Sequence, residues 1–123
     1  MAERKFSTLN GIVDTPELNI DYENAKVFDK LHVGSLGVYF RDGFRIKHIP
    51  YDYMDRAFIR VQQTQARMCC GQANFDYFRM VFVHDRKEFT DVLSEKEQAM
   101  DDALSEIASH GVPTGFVKTE AFA

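Results

Sequence analysis

The sequence predicts an α+β fold, mainly β, in which antiparallel strands between residues 31 and 93 are capped by one C-terminal amphipathic helix over 95–109. Three observations carry that reading. Asp42-Gly43 separates two β-prone runs, Val38–Phe40 and Phe44–His48, and Asp-Gly in that setting is a strong short-range hairpin signal. A second alternating run, Phe78, Met80, Phe82 against Tyr77, Arg79, Val81, Val83, precedes a turn at His84–Lys87 and a return through Glu88–Leu93. Finally, Met100, Ala103, Leu104, Ile107 and Ala108 fall at helical spacing and form one apolar stripe.

The 123 residues read as a single domain, long enough to build a core without disulfides or metal. Residues 1–29 carry Pro16, several Asn and Asp residues and isolated apolar positions, and read as an irregular N-terminal segment with at most one short strand. From Leu31 the hairpin begins, and Pro50 ends its return strand. Residues 51–70 read two ways. As a helix, Met54, Phe58, Val61, Gln65 and Met68 make a stripe weakened by Gln65. As strands, Ala57, Ile59 and Val61 alternate with Phe58, Arg60 and Gln62, with a turn near Thr64 and a second short strand to Cys70. The β-like flanks favour the strands. The second hairpin is apolar on both faces, as in a central strand. Ser94 and Glu97 form a capping-box pattern at the helix start, while Gly111 in the left-handed conformation and Pro113 close its end.

Composition excludes several classes. A net charge of −4 argues against nucleic-acid binding, which needs a basic face to offset phosphate. No apolar run is long enough to span a bilayer, and the N-terminus lacks a signal-peptide pattern, so a cytoplasmic location is expected. The two cysteines, Cys69 and Cys70, are adjacent and make no disulfide framework. On a strand they would point to opposite faces, so they could not act together on one metal or substrate.

The stretch "GVYFRDGFRIKHIPYDYM", residues 37–54, resembles the pleckstrin-homology (PH) superfold, with its nearest echoes in GRAM domains and bacterial PH-like domains. Those families run from a strand reading like "LYFT…R" into "IP…I". Here Ile49-Pro50-Tyr51 stands at that place, with Met54 where the family often has Ile. The resemblance covers about residues 31–110. It implies a strongly bent antiparallel sheet or open barrel closed by the terminal helix, used as a non-enzymatic binding platform for lipids, peptides or proteins. The chain departs from the phosphoinositide-binding pattern: the turn at Asp42-Gly43 is too tight to cradle a head group, and Asp42 adds the wrong charge.

No catalytic motif is present. His32, His48, His84 and His110 match no zinc signature, and no cofactor or metal is expected. Asp52, Asp55 and Arg56 read as a solvated cluster, and Asp101 and Asp102 as the wet face of the helix. The expected interaction surface gathers Tyr39, Arg41, Arg45, Lys47, Tyr51 and Tyr53. A protein partner or self-association is the favoured role. A small-ligand or lipid site inside or at the mouth of the sheet is the alternative, and an enzyme has the least support.

Overall fold

The Asp-Gly hairpin forms one residue out of the expected phase. Strand β5 (Gly37–Asp42) pairs with β6 (Arg45–Pro50) antiparallel, with Asp42 opposite Arg45. The two turn residues are therefore Gly43 and Phe44, and only Gly43, at φ +66°, is left-handed. Glycine at the first central position marks a type II′ turn, not the type I′ that Asp-Gly suggests. The shift puts Phe44 at the tip.

The computed structural model describes residues 5–9, 11–68 and 71–120, with side chains described outside 62–76 and 116–120. The expectations about Cys69 and Cys70 lie outside the described residues. The segment expected to be irregular holds β1 (Phe6–Thr8), β2 (Gly11–Val13), helix α1 (Pro16–Asn24) and β3 (Lys26–Phe28). The helix signal was present in Thr15-Pro16-Glu17. Proline at the first helical position has the right φ and lacks an N–H that would be unpaired there anyway.

Strand β4 (Leu31–Val33) joins β3 to β5, so β3 to β6 form an antiparallel meander. A single 3-10 turn, Tyr51–Tyr53, follows Pro50. Residues 56–68 are one strand, β7 (Arg56–Met68), neither a helix nor two strands. Its whole length pairs antiparallel with β8 (Gly71–His84), from Arg56 opposite Val83 to Met68 opposite Gly71, which leaves no turn at Thr64. The turn Asp85-Arg86, both residues at positive φ, returns the chain into β9 (Lys87–Ser94).

Helix α2 runs from Glu97 to Ser109, two residues later than expected. Ser94 does not cap it. Ser94 ends β9, and its hydroxyl accepts from Lys96 N at 3.0 Å and donates to Asp29 at 2.6 Å. Gly111, at φ +90°, closes the helix as expected. The chain then adds a strand the sequence reading lacked, β10 (Thr114–Glu120).

The strands form two open mixed sheets and no barrel. The six-stranded sheet runs β2-β1-β6-β5-β4-β3 and the four-stranded sheet β10-β7-β8-β9. The cause lies in the two added segments. Strand β1 pairs parallel with β6, and β10 pairs parallel with β7. Each takes the edge through which the successive strands β6 and β7 would have joined one continuous sheet. The core fills the space between the sheets. Val38, Phe40 and Ile49 from one sheet meet Ile59, Met80 and Phe82 from the other, and Met100, Ala103 and Ile107 of α2 close it. Alternation along β8 is as expected, with Phe78, Met80 and Phe82 all buried inward.

Candidate functional site

The residues expected to share an interaction surface separate into three environments. Tyr39 is fully buried and cannot form a contact patch. It projects from β5 onto the face covered by α1, because alternation places Tyr39 and His48 on the side opposite Val38 and Ile49. There Phe6, Tyr22 and Tyr39 pack edge to face, with ring centres 5.5–5.7 Å apart. Tyr51 and Tyr53 are half-buried against the main core. All four histidines lie flat on a tyrosine: His32 on Tyr22, His48 on Tyr39, His110 on Tyr51 and His84 on Tyr53, at 4.7, 4.6, 4.3 and 3.7 Å. They serve packing here. Among the described residues, no three His, Cys, Asp or Glu side chains come together in a metal-holding group.

Asp21 organises the α1 face, a role nothing in its sequence context announced. Its carboxylate is buried and accepts from Ser35 N at 2.7 Å, Leu36 N at 3.0 Å and the Tyr39 hydroxyl at 2.6 Å. The Tyr51 hydroxyl donates to the Gly34 carbonyl in the same turn. Burial, reinforced by the hydrogen bond to the Asp21 carboxylate, holds the Tyr39 hydroxyl protonated far above its ordinary range. Burial likewise raises Tyr51. Burial also lowers the pKa of the His48 imidazole, against a hydrogen bond to Val38 and the pull of Asp21. The Asp21 carboxylate, the Ser35 and Leu36 amides and the Tyr39 hydroxyl face one another, whereas the buried Nδ1 of His48 has no hydrogen-bond partner among the described residues. Asp55 is structural, accepting from Asp85 N at 2.6 Å and so fixing the β8–β9 turn.

The expected basic residues stay at the hairpin end of the six-stranded sheet. Arg41 and Arg45 are exposed and share a shallow hollow with Lys5 and the fully exposed ring of Phe44, while Lys47 is half-buried further along β6. Beside this end lies a half-open groove of about 670 Å³. One wall is Lys30, His32, Phe40, Arg41, Asp42 and Ile46, and the other is Thr90–Leu93 of β9. Strand β9 is an edge of its sheet and is eight residues long. The groove carries two cations, Lys30 and Arg41, and two anions, Asp42 and Asp91. Asp91 also pairs with Arg79 at 3.2 Å. Lys30 and the β9 edge were missing from the sequence reading, because only the approach of the two sheets places them opposite Arg41.

A smaller apolar pocket of about 250 Å³ opens near the other end of β6, lined by Leu9, Val13, Leu18, Pro50 and His48 with two threonines. Comparison with protein-family models, with curated proteins and with solved structures finds no match. No helix described is long and apolar enough to cross a membrane.

Proposed function

We propose that this chain is a non-enzymatic binding module that takes an extended protein segment along the β9 edge. The observation that carries the reading is the position of that edge beside the 670 Å³ groove. An edge strand offers a row of backbone donors and acceptors, and an adjacent groove adds side-chain selection. The mixed lining suits a segment with an apolar residue for Phe40, Ile46 and Leu93 and an acidic residue for Lys30 and Arg41. The element order also supports the resemblance to PH-like modules. A four-strand meander (β3–β6), a three-strand meander (β7–β9) and a helix follow one another. The additions β1, β2, α1 and β10 set the chain apart from that pattern.

The alternative, a small-ligand site within the sheet, has less support. Between the sheets the space is occupied by Phe40 stacked on Phe82 at 6.4 Å, with Met80, Ile59 and Met100 fully buried around them. The test is selection of displayed random peptides on the protein, followed by mapping of backbone amide shifts. Enriched peptides should perturb Thr90–Leu93 and Phe40–Ile46, and the exposed-site variant Arg41→Glu should weaken them about tenfold, a change of ~1.4 kcal/mol. No enriched peptide, or shifts confined to the opposite side of the molecule, would sink the proposal.

A further inference from the structure

We infer that the chain associates with copies of itself head to tail, the Phe44 tip of one copy seated in the pocket beside His48 of the next. This goes beyond the groove reading and uses a different surface. Phe44 is a fully exposed aromatic ring held at the apex of a tight turn, where no neighbour in its own chain covers it. A large apolar ring left in water is unfavourable and gains from burial in proportion to its area. The pocket by His48 is lined mainly by apolar atoms of Leu9, Val13, Leu18 and Pro50. Its volume of about 250 Å³ exceeds the ~150 Å³ of an enclosed apolar cavity that admits benzene, so this open pocket has the volume for a phenyl ring.

Charge selects a second copy as the occupant. The tip carries the exposed Arg41 and Arg45 against one acid, Asp42, and Lys5 stands beside it. The stretch 8–25 that builds most of the pocket carries Asp14, Glu17 and Glu23 besides the buried Asp21, and no Lys or Arg. Asp14 and Glu17 are exposed next to the lining residues Val13 and Leu18. A cationic tip therefore meets an anionic rim, which steers the two together and fixes their polarity. Tip and pocket lie towards opposite ends of β6, since Phe44 precedes Arg45 and Pro50 closes the strand. One copy can use both at once. Such a contact is heterologous, so association proceeds to a ring or an open filament, not to a closed two-fold dimer.

The test uses two variants at exposed positions, Phe44→Ser (no tip) and Leu9→Arg (no pocket), in sedimentation equilibrium. The wild type should gain mass with concentration and lose that gain at high salt, where the charges are screened. Each variant alone should show at least a tenfold weaker association. Mixed in equal amounts they should restore one-to-one heterodimers, because Leu9→Arg keeps its tip and Phe44→Ser keeps its pocket. A wild type that stays monomeric to about 1 mM overturns the inference, since any contact that weak is negligible. So does an oligomer indifferent to Phe44→Ser, or a mixture that forms no heterodimer.

Discussion

Replacing Asp21 with Asn removes one charge while keeping the shape of the side chain that ties α1 to the turn before β5. Three donors converge on the carboxylate: Ser35 N, Leu36 N and the Tyr39 hydroxyl. Ser35 N bonds Oδ1 while the other two share Oδ2. An amide can keep one oxygen on the shared side, but its NH2 then faces the Ser35 N–H, donor against donor. One charge-assisted bond is lost, at ~1.5–3 kcal/mol, and the two others fall to the neutral range of ~0.5–1.5 kcal/mol each. Against this, a neutral amide costs less to bury than a carboxylate. The balance is a loss of ~2–4 kcal/mol, a large share of the ~5–15 kcal/mol typical of a domain. Urea unfolding followed by circular dichroism should show the midpoint fall with the slope m unchanged. Tyr39→Phe alone removes one of the three bonds. The cycle with Asp21→Asn should return a coupling of ~1 kcal/mol or more, because the residues are in direct contact. If Asp21→Asn costs less than ~0.5 kcal/mol, the carboxylate does not hold this face together and the reasoning fails.

Other outcomes follow from the same structure. Burial holds the His48 imidazole below its ordinary 6.5, so the fold favours the neutral ring. Its contribution is complete above that pH and is lost on acidification below it, at no more than ~1.4 kcal/mol per pH unit. Urea midpoints at pH 7 and pH 5 should therefore diverge more in the wild type than in His48→Gln. Ile107→Ala empties a fully buried position of α2 between the sheets and should cost ~2–5 kcal/mol by thermal or urea unfolding. Gly37→Ala places a methyl group against the Ile49 carbonyl and the His48 ring, so the β5–β6 register must yield. Amide exchange at Val38–Phe40 should accelerate as a result. Phe44→Ser should change stability by no more than ~0.5 kcal/mol, which separates the tip's role in association from any role in folding.

Several elements were legible because their signals are local. Gly43 and Gly111 stand where a positive φ is required, Phe78, Met80 and Phe82 alternate, and Met100, Ala103 and Ile107 repeat at helical spacing. Each of these follows from a few neighbouring residues and one periodicity. The capping box failed because Ser94 found a better partner, Asp29, 65 residues away in sequence. The turn near Thr64 failed because pairing with β8 runs without a break from Arg56 to Met68, and that long ladder overrides the local preference. Tyr39 looked like a surface aromatic because the helix that covers it lies in the segment read as irregular.

By itself the sequence determined the antiparallel hairpins, the terminal amphipathic helix and the apolar set that fills the interior. The tertiary structure alone decided that β1 and β10 would take the free edges of β6 and β7, and so that two open sheets would form in place of a barrel. It also set the β9 edge opposite Arg41 and Lys30, and it buried Asp21 and Tyr39 while leaving Phe44 in water. The physical reason is the range of the interactions. Turn chemistry and periodicity act over a few residues, whereas a sheet edge accepts any strand that reaches it, and burial depends on what arrives to cover a face.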